Sequence, residues 1–333
     1  MIYFLIAVLV IVILVFGFGF LVHHIAFGKR CMGDKRLKYF THEDFEGLKA
    51  APVEFKSNKG QILKGNLYLK SGIRRPCALV IFSHGFGGGH LSYMTEINTF
   101  ARNGFAVLAY DNTGTFASQG DSLVGFFQGV RDLNAAVNYA RSNEKLKNLP
   151  IILAGHSWGG YSVCQALAEC KGISGAVAFS APETGYQVIC EKISAKAGFL
   201  LPLFKIIFFL KEGKASLRKC SDALSKTNVP TLLLHGDCDP VVKPAESPVT
   251  SPAVQANSSI TTIMYENRRH NVYQTAESEE YLGEVMAGIQ ALKKIKKPSR
   301  EEIEFCYDID YELITREDPI VMQTVINFMK NCI

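Results

Sequence analysis

The fold of this chain is decided by one stretch, Asn148-Leu-Pro-Ile-Ile-Leu-Ala-Gly-His-Ser-Trp-Gly-Gly-Tyr-Ser-Val-Cys-Gln165. Its apolar residues 151–154 lie between a proline and a glycine, which predicts a short buried strand. A G-x-S-x-G pattern follows, and residues 161–169 predict a helix. A serine in a tight strand-to-helix turn leaves no room for side chains two positions away, which explains Gly155 and Gly159. The stretch therefore predicts a turn that exposes Ser157; an ordinary small-residue turn of an α/β domain is the alternative.

The composition indicates a protein with a large core. The chain has 333 residues, is 48% hydrophobic and carries a net charge of +5. That length suffices for one large α/β domain or two small ones. No long Lys/Arg run is interleaved with aromatic residues, so we expect no nucleic-acid binding. The nine cysteines form no C-x-x-C pair and no metal-ligand spacing, which favours free thiols in a reducing compartment.

Residues 1–22 contain no charged side chain, and 17 of them are Leu, Ile, Val or Phe. A helix of that length spans about 33 Å, and the hydrocarbon core of a bilayer about 30 Å. We therefore predict a transmembrane anchor that contacts membrane lipid. A cleaved signal peptide, with a small-x-small site at Ala26-Phe27-Gly28, is the alternative. Against cleavage, no Lys or Arg precedes the run, and the run is longer than a usual signal core.

The charges that flank this segment predict its orientation. Five basic residues follow it closely: Lys29, Arg30, Lys35, Arg36 and Lys38. The positive-inside rule then places the rest of the chain in the cytoplasm, and a cleaved segment would place it on the exported side. We predict that residues 23–50 form a basic linker and that residues 51–333 form one domain.

Apolar strands alternate with amphipathic helices after residue 51, which predicts a mostly parallel sheet covered by helices on both faces. Residues 184–228 interrupt the alternation, and their apolar run 198–210 is too short to span a bilayer. We predict that this insertion forms a helical cap over an apolar cleft; a structural helix packed on the core is the alternative. Residues 277–315 are charged and partly helical, and the sequence indicates no role for them.

Three further polar motifs follow predicted strands. The first is the glycine-rich loop Ser83-His84-Gly85-Phe86-Gly87-Gly88-Gly89-His90. A dinucleotide-binding pattern would require glycine where His90 stands, so an oxyanion loop is the better interpretation. We interpret His84 and His90 as residues that shape this loop rather than as metal ligands. The other two motifs are residues 236–242, which include Asp239, and residues 266–271, which include His270.

With these four motifs in order, the chain resembles the α/β-hydrolase superfamily over residues 50–333, in its lipase, esterase and serine-aminopeptidase branches. The resemblance implies an α/β-hydrolase fold with a cap and a catalytic triad of Ser157, Asp239 and His270. It also implies an oxyanion hole made by the backbone N–H groups of Phe86 and Trp158, and no metal or organic cofactor.

The chain departs from the family pattern in the loop after Tyr110. Many relatives read D-x-R-G-x-G-x-S there, and Thr113 and Phe116 replace the arginine and a glycine. That loop supplies no chemistry, so the departure concerns the subfamily.

The chemistry requires these residue types. Serine is a poor nucleophile at neutral pH and needs a base, and histidine titrates in the right range. The imidazole in turn needs an acid to fix its tautomer. The G-x-x-D-x-x-V spacing favours Asp239 over Asp237, whose carboxylate we expect to bond loop amides.

The sequence thus predicts a membrane-tethered serine hydrolase that cleaves carboxylic esters of apolar acyl groups, with a small molecule as its substrate. A serine peptidase or amidase of the same fold is one alternative. A catalytically inactive hydrolase fold that serves as a binding module is the other.

Overall fold

One sheet of eight strands organises the part of the chain that this computed structural model describes, which comprises residues 1–193, 197–297, 299–304, 306 and 308–333. The spatial order is β1-β2-β4-β3-β5-β6-β7-β8. The strands are β1 (Leu48–Lys56), β2 (Ile62–Lys70), β3 (Leu79–Ser83), β4 (Ala106–Tyr110), β5 (Ile151–His156), β6 (Gly175–Phe179), β7 (Thr231–Gly236) and β8 (Ile260–Tyr265). Strand β2 is antiparallel to β1 and β4, and the other neighbouring pairs are parallel. The predicted mostly parallel sheet is confirmed.

Helices cover both faces of this sheet. The α-helices of the described chain are α1 (Ile2–Phe27), α2 (Met94–Arg102), α3 (Gln128–Ser142), α4 (Trp158–Ala166), α5 (Gly185–Ile193), α6 (Leu201–Glu212), α7 (Cys220–Leu224), α8 (Pro252–Gln255), α9 (Ala276–Lys294), α10 (Arg300–Glu304), α11 (Tyr311–Ile314) and α12 (Pro319–Asn331). Alternate residues of a strand face opposite sides. Accordingly Leu79 and Ile81 pack with α3 and α4, and Val80 and Phe82 pack with α2 and α12. Because both faces are covered, every residue of β3 and β5 is buried.

Strands β1 and β2 form a hairpin at the edge of the sheet. The Ser57 N–H donates to the Gln61 carbonyl over 2.8 Å, and the Gly60 N–H donates to the Ser57 carbonyl over 3.0 Å. Gly60 has a φ of 86°, a conformation that glycine adopts without strain. The polar turn sequence therefore sets the register of the hairpin.

Helix α1 has two parts with different surroundings. It is long and apolar enough to cross a membrane, and none of the side chains of residues 1–18 is buried. Gly19, His23 and Phe27 are buried against the domain. Residues four apart share one face of a helix, so the end of α1 docks along a single stripe.

The segment between α1 and β1 is packed rather than free. The Cys31 N–H donates to the Gly114 carbonyl over 2.9 Å, and the Phe116 N–H donates to the Cys31 carbonyl over 3.0 Å. The Arg30 guanidinium bonds the carbonyls of Phe116 and Ser118 over 2.8 and 2.9 Å. This differs from the basic linker predicted over residues 23–50: α1 continues to Phe27 and β1 begins at Leu48. The polar composition predicted a linker. The partners that hold the segment lie 80 or more positions later in the chain, so its local sequence gives no sign of them.

Residues 184–228 form the predicted helical insertion through α5, α6 and α7, of which residues 194–196 lie outside the described chain. Helix α6 packs against α1. A Cβ on Gly19 would lie 3.0 Å from the Ile207 side chain, and His23 Nε2 lies 3.2 Å from Glu212 Oε1. The buried apolar residues of α6, Leu203 and Ile207 among them, therefore take part in a helix–helix contact.

Candidate active site

Ser157 occupies the turn between β5 and α4 in a conformation that few non-glycine residues adopt. Its φ is 56° and its ψ is −113°, and such backbone strain costs about 1–3 kcal/mol. The Ser157 N–H donates to the Phe179 carbonyl over 2.8 Å, and the Ser157 carbonyl accepts from the Tyr161 N–H over 2.8 Å. These bonds hold the strained residue in place.

The two glycines of the pattern are required by close backbone contacts. A Cβ on Gly159 would lie 1.9 Å from the Ser83 carbonyl oxygen, and a Cβ on Gly155 would lie 2.5 Å from the carbonyl carbon of Gly159. Any side chain at either position would push β3, β5 or α4 apart. The packing therefore requires glycine at both positions, as the sequence predicted.

Asp239 and His270 are in direct contact. His270 Nδ1 donates to Asp239 Oδ2 over 2.7 Å. The other carboxylate oxygen, Oδ1, accepts from the N–H groups of Val241 and Val242 over 2.8 and 2.9 Å. Burial raises the pKa of Asp239, but the hydrogen bond and charge of His270 and the amide bond from Val242 outweigh it, so the pKa lies below its usual value. Asp239 therefore stays ionised next to the imidazole.

Asp237 lies outside this pair. It is exposed, and its carboxylate interacts with the Cys238 thiol, whose pKa is raised by that contact. No bond from Asp237 to a loop amide is found among the described residues, in contrast to the expectation from the sequence.

Ser157 and His270 line the same cavity, which has a volume of about 340 Å³. Within the described chain, the Ser157 hydroxyl makes no hydrogen bond to His270. Catalytic hydrogen bonds are often long in the absence of substrate and shorten in the complex. The structure thus brings Asp239 and His270 together and places Ser157 in the cavity that His270 also lines.

The two amides of the expected oxyanion hole are in the same region. Trp158 is the first residue of α4, so its N–H has no intrahelical acceptor. The Phe86 N–H makes no hydrogen bond within the described chain, and Phe86 lines the cavity. Both N–H groups are free to donate to a substrate oxygen.

The Phe86 ring links this loop to the end of α1. Its centroid lies 5.9 Å from that of Phe27 and 5.6 Å from that of Trp158. The Lys192 ammonium lies 4.8 Å from the same ring. Phe27 is 1% exposed, so the last turn of α1 is part of the packing behind the loop.

His84 and His90 both bond neighbouring loop atoms. His84 Nε2 accepts from the Asn112 N–H over 3.0 Å. The N–H and Nδ1 of His90 donate to Asp111 Oδ1 over 3.0 and 2.8 Å. Among the described residues no group of three His, Cys, Asp or Glu side chains could hold a metal ion. These contacts agree with the interpretation of both histidines as loop-shaping residues.

A buried chain of hydrogen bonds connects the oxyanion loop to His270, and the sequence did not reveal it. The Gly85 N–H donates to Tyr93 Oη over 3.0 Å, and that hydroxyl donates to His156 Nδ1 over 2.9 Å. His156 Nε2 donates to the His270 carbonyl over 3.1 Å, and Ser180 Oγ donates to the same carbonyl over 2.6 Å. Burial and the neighbouring His270 lower the pKa of His156 to about 3. His156 is therefore neutral and can accept at one nitrogen while it donates at the other.

The walls of the cavity come mainly from segments to which the sequence gave no site role. Its apolar and aromatic side chains are Leu37, Tyr39, Phe40, Phe86, Leu91, Tyr93, Tyr273, Leu282, Met286, Tyr311 and Ile314. The first three belong to the predicted linker, and four others belong to residues 277–315. The lining includes none of residues 199–210. The prediction that residues 184–228 form a cap over an apolar cleft therefore gains no support from the lining of this cavity. Helix α6 packs against α1, as the alternative of a structural helix would have it.

Comparisons with known proteins agree with this architecture. Residues 74–208 match the family model described as serine aminopeptidase, S33. The structure is similar to the Pyrococcus furiosus esterase Pf2001, with a TM-score of 0.58 and 20% identity over 80% of this chain and 98% of that one.

Two further solved structures share the fold. The first is Est1E from Butyrivibrio proteoclasticus with bound ferulic acid, with a TM-score of 0.54 and 19% identity over 84% of this chain and 98% of that one. The second is an acylaminoacyl peptidase from Pyrococcus horikoshii, with a TM-score of 0.52 and 14% identity over 69% of this chain and 38% of that one. No curated protein matches the sequence. At these identities the likeness establishes the fold.

Proposed function

We propose that this chain, which has the α/β-hydrolase fold, is a membrane-tethered serine hydrolase that cleaves carboxylic esters through an acyl-enzyme. Ser157 is the nucleophile, His270 the general base and Asp239 the acid that orients the base. One observation carries the proposal: the strained Ser157 lines the same cavity as His270, whose Nδ1 is bonded to the buried Asp239.

The geometry supports a two-step acyl transfer. Ser157 Oγ attacks the ester carbonyl carbon while His270 Nε2 takes the hydroxyl proton. The bond from Nδ1 to Asp239 keeps the proton on Nδ1 and leaves Nε2 free to accept. The imidazolium then protonates the leaving alcohol as the C–O bond breaks. Water attacks the acyl-enzyme with the same base, and the carboxylic acid leaves with Ser157 restored.

The charge that develops on the carbonyl oxygen is stabilised by the N–H groups of Phe86 and Trp158. A donor of this kind typically lowers the activation free energy by about 3 kcal/mol. Because α4 begins at Trp158, the partial positive charge of its N-terminus adds to the effect. No cofactor takes part in either step.

The lining of the cavity favours an apolar acyl group. Each buried methylene contributes about 0.8 kcal/mol in transfer from water, and the walls offer leucine, isoleucine, methionine and aromatic side chains. A peptide with a free N-terminus would need a carboxylate to pair with its ammonium group. Among the described residues that line the cavity, no Asp or Glu is present, and Lys38 would repel an ammonium group. An uncharged ester is therefore the better substrate.

Helix α1 serves as the anchor in this proposal, with residues 1–22 in contact with lipid and the hydrolase domain in the cytoplasm. Its length and hydropathy support the anchor, and the basic residues that follow it support the orientation.

A panel of substrates tests the activity. Purified full-length protein in detergent is assayed with p-nitrophenyl esters from acetyl to decanoyl and with aminoacyl p-nitroanilides, beside the Ser157→Ala variant. We expect kcat/KM to rise with acyl length until the cavity is filled, slow cleavage of the amides, and no turnover by the variant. A preference for the amides would establish a peptidase, and no turnover of any substrate by the folded wild type would favour a binding module.

A further inference from the structure

Helix α6 has an apolar face that the described part of the chain leaves uncovered. Its inner side chains, among them Leu203, Phe204, Ile207 and Phe208, are buried. On the outer side, Ile206 and Phe209 are each 45% exposed and Leu210 is 58% exposed. Phe199, in the turn that leads into α6, is 81% exposed. We call these four side chains the α6 outer face. Large side chains grouped in this way on a surface mark a site of interaction with an apolar partner.

The contacts with α1 fix where this face lies. The N-terminal half of α6 is level with Gly19, whose Cβ position is 3.3 Å from Leu203 Cδ2 and 3.0 Å from Ile207 Cγ1. The C-terminal end of α6 is level with His23, since Glu212 lies 3.2 Å from it. The Phe27 and Phe208 ring centroids lie 6.1 Å apart, and the Lys211 ammonium lies 5.5 Å from the Phe20 ring. Helix α6 therefore contacts the last turns of α1, from Gly19 to Phe27.

The length of α1 sets the depth of α6 relative to the hydrocarbon core of the bilayer. Its 26 residues span about 39 Å, and the hydrocarbon core needs about 20 residues. The side chains of residues 1–18 have no protein neighbours that bury them. When these residues fill the hydrocarbon core, Gly19 lies at its boundary, and the first turns of α6 lie at the same boundary.

The charges around the face match a lipid surface. Lys205, Lys211 and Lys214 are exposed on or beside α6. The one acid in residues 197–216 is Glu212, which is 2% exposed and faces His23. A helix with an apolar side and a lysine-bearing side is typical of segments that lie in a membrane interface, and anionic headgroups attract lysines there.

We propose that α6 is a second membrane contact, which lies in the interface with its outer face in the lipid and with Lys205 and Lys211 against anionic headgroups. The proposal rests on the anchoring of α1 in the bilayer. A single helix would let the domain swing, whereas α1 and α6 together hold the domain in one orientation against the membrane.

Fluorescence quenching by lipids tests this contact. The full-length chain is reconstituted in vesicles of phosphatidylcholine and phosphatidylglycerol, with and without bromine on the acyl chains. The Phe199→Trp variant is compared with Ile320→Trp, in which the replaced residue is 74% exposed on α12, across the sheet from α6. The wild type, whose single tryptophan is the buried Trp158, supplies the background. We expect brominated lipid to quench Phe199→Trp several-fold more strongly than Ile320→Trp.

Equal quenching of the two variants would overturn the proposal. Protection of Phe199→Trp from acrylamide without quenching by brominated lipid would also overturn it and would indicate a second protein copy on the α6 outer face. Carbonate extraction of the same vesicles distinguishes a failure of the α1 anchor from a failure of the α6 contact. Release of the protein would overturn the anchor and this inference together, whereas retention without quenching would overturn this inference alone.

Discussion

Replacing Tyr93 by phenylalanine removes the hydroxyl that joins the oxyanion loop to His156. Two bonds are lost, from the Gly85 N–H over 3.0 Å and to His156 Nδ1 over 2.9 Å. Burial raises the pKa of Tyr93, so the hydroxyl is protonated and donates. Each buried group left without a partner costs about 1–3 kcal/mol. We therefore expect Tyr93→Phe to lower the free energy of unfolding by about 2–4 kcal/mol, since the loop can relax in part.

The same change should lower the rate, because Gly85 precedes the amide of Phe86. Full loss of one oxyanion donor corresponds to about 3 kcal/mol, and a displaced donor to part of that, so kcat should fall about 10- to 100-fold. KM should change little, since the oxyanion forms only in the transition state.

The assay measures kcat and KM with one ester and the unfolding free energy in denaturant. The control is Tyr68→Phe, which removes the hydroxyl of another buried tyrosine, one that accepts from Asn66 Nδ2 over 3.2 Å. A normal kcat in Tyr93→Phe, or an equal fall in Tyr68→Phe, would refute the reasoning.

Three further predictions concern the Asp239 carboxylate, the end of α1 and the loss of stability at acid pH. Asp239→Asn should lower kcat by about four orders of magnitude, and the exposed Asp237→Asn should change it little when both are assayed with the same ester; the reverse ranking would move the catalytic acid. Phe27→Ala should lower the unfolding free energy by about 3–5 kcal/mol, whereas Ile25→Ala, at a position that is 71% exposed, should have a small effect; equal effects would contradict the packing of Phe27 behind the oxyanion loop. The folded-state pKa of Asp239 is lowered, so its contribution to stability is present above the unfolded pKa of about 3.9 and is lost as pH falls through the folded value. Asp239→Asn should therefore flatten the fall in unfolding free energy at acid pH, and an unchanged slope would contradict the pairing with His270.

The elements that could be predicted from the sequence are those with local causes. The turn at Ser157 depends on two glycines within two positions of it, and the contacts of Gly155 and Gly159 show why. The G-x-x-D-x-x-V spacing predicted Asp239 rather than Asp237 as the partner of His270. In the structure Asp239 is buried and bonded to His270, and Asp237 is exposed. The parallel sheet follows from apolar runs that both faces bury.

The elements that could not be predicted depend on contacts between distant residues. Tyr93 and Ser180 meet His156 and the His270 carbonyl only after β3, β5 and β6 have paired. Leu37 is hidden in a basic segment, and its role depends on helices more than 240 positions later in the chain. The apolar run in α6 suggested a cleft cover because its neighbour, α1, was considered as a separate anchor.

Labelling with a fluorophosphonate probe tests directly whether Ser157 is the nucleophile, because the probe reacts covalently with an activated serine. Full-length protein in detergent is labelled, digested and analysed by mass spectrometry, beside the Ser157→Ala and His270→Ala variants. We expect one adduct, on the peptide that contains Ser157, which is absent in Ser157→Ala and forms far more slowly in His270→Ala. No adduct on the folded wild type, or an adduct on another serine that persists in Ser157→Ala, would contradict the assignment of Ser157 as the nucleophile.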